Sequence, residues 1–418
     1  MNSTTNQNLN KKTLLSAFIT LLNDRLGESI VFPLLPFLLD KFNSSGSTLG
    51  FLAGTYAIAQ FAVSPLIGAL SDRYGRKPII TVCVTGSVIG LTIFAITVSL
   101  NWNNILPSWA GSVPLIFLFS ARIIDGISGG TAATATAVLA DISTPETRAK
   151  TFGLIGVAFG LGFLLGPGLG TTLAKFSVTL PIWVAVAIAS LNLFLVIKFL
   201  RETHPVEKRK SLPRKRELNP FSQLKKVFGN QSIRTLCLAF FIFFMAFNGF
   251  TAILVLYLKE SFSWTPEIAS LTFVVVGVIA MIVQGGLIGP LVQKFGELKL
   301  TITGTGFVMT GCIFLIAANE NNSIPSVFSA VAILACGTGL VTPCLRALIS
   351  KKLNSSSQGA ILGSLQGLQS FGTFMGAAGA GLAYDLIGPK SPFYLTSLML
   401  FGVIILIIEK VDFRKKFK

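Results

Sequence analysis

Charge is scarce in this sequence. Asp, Glu, Lys and Arg make up 12% of its 418 residues, about half of the roughly 25% found in an average soluble domain. Histidine occurs once, at position 204 on a polar loop, and no His, Cys and carboxylate cluster offers metal ligands. A nucleophile beside a base, a Gly-x-Ser-x-Gly elbow and a glycine-rich nucleotide loop are all missing, which excludes hydrolysis and ATP use. The five cysteines (Cys83, Cys237, Cys312, Cys336, Cys344) fall inside apolar segments, where they act as small hydrophobes without the spacing of a disulfide framework. Acids are scarcest, 17 against 34 Lys and Arg, for a formal charge of +17. Those basic residues are scattered over short loops with no folded domain to present them, which excludes nucleic acid as the partner.

Apolar residues take the place of charge: 52% of the chain is hydrophobic and its mean hydropathy is +0.72. An apolar run of about 20 residues spans the ~30 Å hydrocarbon core of a bilayer. Twelve such runs are expected, near 13–39, 47–70, 78–99, 113–142, 150–174, 178–200, 232–258, 267–290, 299–318, 325–350, 358–384 and 392–409, the fourth emerging before Asp141. Continuous apolar runs exclude a barrel, whose strands alternate. The first run is too long for a signal-peptide core and lacks a small-residue cleavage site, so it is expected to stay on the protein. With the N-terminus in the cytoplasm, the inner segments carry 25 Lys and Arg and the outer ones four, Lys41, Lys175, Lys259 and Lys390. Both termini are therefore expected to be cytoplasmic, with the positive loops held against anionic membrane lipid.

The longest polar interval, 201–231, divides the chain into a bundle over 1–200, a cytoplasmic linker and a second bundle over 232–418. Shifting the sequence by 221 aligns Gly68 with Gly289, Arg73 with Lys294, Tyr74 with Phe295 and Gly75 with Gly296, so the halves read as repeats of six helices. Parallel repeats of this kind are the layout of transporters that rock two bundles about a central site. The stretch GALSDRYGRKPII, 68–80, sits between the second and third runs. Gly68 and Gly75 permit close approach and a tight turn there. Asp72 lies where helices begin and their free N–H groups favour a carboxylate. Arg73, Arg76 and Lys77 hold the loop on the cytoplasmic face.

Gly68-x-x-x-Asp72-Arg73-x-Gly75-Arg76-Lys77 resembles the loop signature of the major facilitator superfamily. Gly162-x-x-x-Gly166-Pro167-x-x-Gly170 is similar to the motif of its drug:proton antiporters, and Arg122-x-x-x-Gly126 to its intramembrane arginine motif. The stretches LADISTPETRAKTFG and RETHP…ELNPF resemble tetracycline-efflux proteins. The resemblance implies an all-α membrane protein of twelve transmembrane helices in two pseudo-symmetric six-helix bundles, working in the plasma (inner) membrane as a monomer with no cofactor, a proton being the coupling ion. It further implies that Asp72 engages the start of the eleventh helix in the outward-facing state, and that the glycine-proline motif seals the cavity against leakage.

A charge in mid-bilayer costs ~2.5–3.5 kcal/mol or more. Asp24, Arg25 and Glu28 in the first run, Arg122 and Asp125 in the fourth and Arg346 in the tenth each need a reason. Pairing of Arg25 with Glu28 and of Arg122 with Asp125 is one; proton exchange at a cavity carboxylate is the other. Asp24, upstream of the proline that opens PLLP, matches the first-helix acid of tetracycline exporters. The acids those exporters carry in helices three and nine have no counterpart, since 79–99 and 300–318 hold no charge, and Glu28 and Asp125 are the substitutes. Gln60, Asn248, Gln284, Gln366 and Gln369 are the residues expected to meet a small-molecule substrate. The function expected is proton-coupled export of small amphipathic or lipophilic compounds; the alternatives are a proton symporter or uniporter for a metabolite and a non-transporting membrane sensor.

Overall fold

Backbone N–H and C=O groups in hydrocarbon have no water to bond, so an apolar run that crosses a bilayer closes its hydrogen bonds within itself as a helix. The computed structural model follows that rule; it describes all residues except 1, 43, 110, 144–147, 210–217, 319–322, 353–354 and 416–418. The helices of the first half are α1 (Asn2–Val31), a short α2 (Leu35–Leu39), α3 (Gly46–Tyr74), α4 (Arg76–Ser99), α5 (Trp102–Ile105), α6 (Ser112–Ile127), α7 (Thr131–Asp141), α8 (Arg148–Ala174) and α9 (Leu180–Phe199). Those of the second are α10 (Pro220–Gly229), α11 (Arg234–Phe262), α12 (Pro266–Ile282), α13 (Ile288–Ala317), α14 (Ser323–Ser350), α15 (Ser355–Ile387) and α16 (Ser391–Lys415).

Among the described residues eight helical stretches are long and apolar enough to cross a membrane, with local departures from the sequence expectation. The first run breaks into 3-10 turns at Phe32–Leu34, because Pro33 has no N–H to continue the ladder. The fourth breaks between Ile127 and Thr131, so it crosses as α6 and α7 in series. The eighth ends in a π-helical segment, Val283–Leu287. Pro266–Ala317 is one apolar stretch of 52 residues, and at 1.5 Å per residue it is more than twice the ~30 Å core. Its two crossings separate at Gly296 (φ 76°, ψ 155°). Within the expected linker, α10 forms and buries Val227 completely. Large apolar side chains such as Ile116, Leu191, Phe194, Leu398 and Phe401 lie exposed along the spans, a surface suited to lipid chains and unsuited to water.

The chain packs as two compact units, 1–43 with 62–219 and 44–61 with 220–418. In the first, Leu21, Ile80, Ala135, Leu139, Ala158 and Val196 form a core shared by α1, α4, α7, α8 and α9. In the second, α11 is the most enclosed helix, and Phe240, Phe243, Tyr257 and Phe393 of α11 and α16 are fully buried. Residues 44–61 of α3 pack with this second unit: Gly46, Gly50 and Gly54 meet Tyr384, the Ala377 carbonyl and Phe374 of α15 with no room for a Cβ. The Asp385 carboxylate caps the start of α3, accepting from the N–H groups of Gly46 (2.9 Å) and Ser47 (2.7 Å). The chain passes between units at 61/62, where Pro65 lacks the N–H that would bond the Phe61 carbonyl.

The internal repeat is visible in both units. Gly75 (φ 105°) and Gly296 (φ 76°), 221 positions apart, both adopt a conformation open only to glycine. Arg73 lies 5.3 Å over the Tyr74 ring, and Lys294 5.3 Å over that of Phe295. The residue after each glycine pairs with the end of another helix, Arg76 with Asp141 and Glu297 with Lys351. The polarity of the pair is reversed between the repeats.

Two predictions follow from these turns and caps. Gly75→Ala is expected to lose about 1–3 kcal/mol to backbone strain and more to collision with Glu202. Gly296→Ala, with nothing within 4 Å of its new Cβ, loses the strain alone. Thermal unfolding in detergent will rank Gly75→Ala as the less stable. At Asp385 burial acts to raise the pKa, and the hydrogen bonds from Ser47, Gly46 and Ser45 outweigh it and hold the carboxyl below its usual range. Its cap therefore contributes above about pH 3.9, the ordinary Asp value, and is lost as pH falls through the lower folded value. Asp385→Ala should unfold at lower temperature near neutrality and show a shallower acid decline than the parent chain.

Candidate functional site

The glycine-proline helix α8 lies directly on α1 at its charged turn. A Cβ on Gly162 would stand 2.6 Å from that of Arg25, one on Gly166 would fall on the Ser29 hydroxyl, and one on Gly170 would stand 2.7 Å from the Ile30 carbonyl. Ser29 donates from Oγ to the Gly162 carbonyl at 2.7 Å, tying the helices backbone to side chain. Small residues four apart permit this approach. Pro167 interrupts the α8 ladder, and the Thr171 hydroxyl returns to the Pro167 carbonyl at 2.7 Å.

That contact holds α1 in register with a cluster of five ionisable side chains in the first unit. Arg25 reaches Asp24 through Nη2 and Glu28 through Nη1, each at 2.5 Å. Arg122 of α6 faces Asp125 one turn on at 3.5 Å. Asp125 is also met by Ser87 of α4 and feels the charges of Asp24 and Glu28 through space. Gly90 clears the way, since a Cβ there would stand 3.1 Å from that of Asp125. Both local pairs anticipated from spacing form, and Arg25 takes Asp24 as well. Asp24, Arg25, Arg122 and Asp125 are nearly enclosed, whereas the Glu28 side chain is 37% exposed.

The loop between α3 and α4 is a second network. Arg76 is buried and bonds Ser71, Asp72 (2.6 Å) and Asp141 (3.1 Å). The carboxylate that receives the free N–H groups at the start of α4 is Glu202, from the segment after α9, bonding Arg76 N at 2.8 Å and Lys77 N at 3.1 Å. The Gly75 turn presents the helix start to Glu202, while Asp72, which the sequence placed near the start of neighbouring helices, bonds Arg76. Lys77 donates to the Ile197 carbonyl and Arg73 covers Tyr74; a Cβ on Gly68 would meet nothing within 4 Å. The side chains at the start of the eleventh crossing, the expected partner of Asp72, lie outside the described residues.

Of the polar residues assigned to a cavity, Gln60 accepts from Ser370 at 2.8 Å and Gln369 accepts from Arg346 at 2.6 Å. Gln366 offers its backbone carbonyl to Ser370. Asn248 donates to the Phe244 carbonyl of its own helix, and Gln284 is exposed on the π-helical segment. The structure thus gathers Gln60, Gln366 and Gln369 on α3 and α15 within the second unit. Ser29, Ser87, Glu202 and Asp385 went unnoticed in the sequence. Only Glu202 carried a signal, as the acid of the RETHP stretch.

Comparison with known proteins places these features in company. The model of the Major Facilitator Superfamily matches residues 17–377. The class C tetracycline resistance protein of Escherichia coli is 32% identical over 357 residues, 84% of this chain and 85% of that one. Multidrug resistance protein 2 of Bacillus subtilis is 30% identical, with 86% of each covered. Among solved structures, the human organic anion transporter MFSD10 superposes with a TM-score of 0.72 at 25% identity, over 95% of this chain and 99% of that one.

The α1–α8 contact is open to test. Gly166→Ala is expected to force α1 from α8, lowering stability by about 1–3 kcal/mol and transport several-fold. Gly168→Ala, with nothing within 4 Å of its Cβ, should match the parent chain in thermal unfolding and in flux.

Proposed function

The chain belongs to the major facilitator superfamily and is a membrane transporter, and from that premise we propose that it exports small amphipathic or lipophilic compounds in exchange for protons. Resemblance along most of its length to tetracycline and multidrug resistance proteins supports the substrate class and the direction. The observation that carries the coupling is a charge count. Three carboxylates, Asp24, Glu28 and Asp125, share two guanidiniums, Arg25 and Arg122. Arginine stays protonated, so this cluster reaches neutrality only when one proton is bound. Enclosure in a low dielectric penalises the net charge, and access to water permits it. Alternating access then converts each change of side into uptake or release of one proton.

The carboxylates form one linked cluster around the two guanidiniums. Within it Arg25 divides its two arms between Asp24 and Glu28, so a proton on either acid frees an arm for the other. Glu28, the most exposed member, is the entry point for water, and Asp24 is the coupling acid. The glycine face of α8 sets the position of Arg25 and so ties helix packing to protonation. The loop of Asp72, Arg76 and Asp141 acts as a latch on the cytoplasmic side. The transporter works as a monomer in the plasma membrane with both termini in the cytoplasm, an orientation supported by the excess of Lys and Arg on the inner loops.

The test is uptake into everted vesicles under an imposed pH gradient, screened over a compound panel. The parent chain should accumulate substrate only with the gradient in place. Asp24→Asn should reduce gradient-driven accumulation to the level of vesicles lacking the protein while still binding substrate. Accumulation that ignores the gradient removes antiport, and full activity in Asp24→Asn removes Asp24 as the coupling acid.

A further inference from the structure

The first unit's intramembrane arginines, Arg25 and Arg122, each have a carboxylate, and Arg346 in the second has none among the described residues. Among the described residues no acid lies within ion-pair distance of its guanidinium. The described acids of that unit stand at helix ends or breaks: Glu260 meets Tyr384, Glu267 opens α12, Glu297 meets Lys351 and Asp385 caps α3. Arg346 is held by two neutral groups. Its Nη2 donates to Gln369 Oε1 at 2.6 Å, and its guanidinium carbon stands 5.9 Å from the centroid of the Phe240 ring. Neither neutralises a cation whose place in the membrane costs ~2.5–3.5 kcal/mol or more.

Direction matters as well. Arg346 is one turn from the cytoplasmic end of α14, and a side chain seeking lipid headgroups would turn toward that end. It reaches instead to Gln369, near the midpoint of the 33-residue α15. The residue is exposed, and a guanidinium carries five N–H donors, more than the amide of Gln369 uses. Buried Phe240 supports one face, while Gln366 lies one turn before Gln369. A fixed cation with spare donors, aimed by an amide and backed by an aromatic ring, is the chemistry that recognises an oxyanion on an apolar body.

We infer that Arg346 and Gln369 form an anion-recognising subsite in the second unit, and that the substrates using it are amphipathic organic anions. The inference rests on the export reading above and adds a substrate class and a residue to it. The bound anion supplies the counter-charge that no described residue supplies at this position, so the subsite is neutral when loaded.

The experiment compares an aromatic anion, fluorescein, with an aromatic cation, ethidium, in proteoliposomes of the full chain under an imposed pH gradient. Arg346→Gln is expected to raise the KM for fluorescein about ten-fold and to leave ethidium within about two-fold; Arg346→Lys should restore part of the loss. Equal loss of both dyes, or unchanged fluorescein transport, overturns the subsite, as does a parent chain that moves ethidium and binds no fluorescein. A headgroup role is separated by lipid: if the Arg346→Gln defect appears with phosphatidylglycerol present and vanishes in phosphatidylcholine alone, the oxyanion belongs to lipid and the inference fails. If neither dye follows the gradient, proton-coupled export fails, and fluorescein anisotropy with the purified protein still decides the subsite. Binding that Arg346→Gln abolishes upholds it; binding that the variant retains, or none by the parent chain, overturns it.

Discussion

Hydrocarbon solvates neither a bare peptide group nor a charge, and both levels of this structure answer to that. Peptide groups are satisfied within helices, so each crossing is a self-contained unit of hydrogen bonding. Charges admitted to those crossings must be compensated by one another or by something that arrives. In the first unit Asp24, Glu28 and Asp125 are gathered around Arg25 and Arg122, and the proton is the smallest species that can complete their balance.

Glycine lets that compensation form. Gly162, Gly166 and Gly170 bring α8 against Arg25, Ser29 and Ile30, and Gly90 brings α4 against Asp125. Arginine is long and its fork is rigid, so a shift of α1 moves both of the carboxylates it holds. Packing and charge are therefore one system, in which a methyl group on α8 would press on the side chain that holds the acids of α1.

The two glycine turns show the same economy in two versions. One glycine conformation recurs at Gly75 and Gly296, followed by a charged residue that reaches the end of another helix, Arg76 to Asp141 and Glu297 to Lys351. A repeat that keeps the backbone turn and reverses the ion pair retains the geometry while changing which loop carries the positive member. The first version is reinforced by Glu202, whose carboxylate receives the start of α4.

Length and hydropathy were enough to read the membrane-crossing helices and the repeat, because the ~30 Å core imposes one length on every apolar helix. Spacing along one helix also made the pairs Arg25–Glu28 and Arg122–Asp125 legible, since residues three apart share a face. What joins different helices was not legible. That Asp125 stands beside Ser87, that Glu202 caps α4, that Asp385 caps α3 and that Gln369 takes Arg346 depend on the rotation and depth of each helix. Those are decided by which glycine faces which side chain across a contact, and hydrophobic periodicity in a chain apolar on nearly every face carries little of that information.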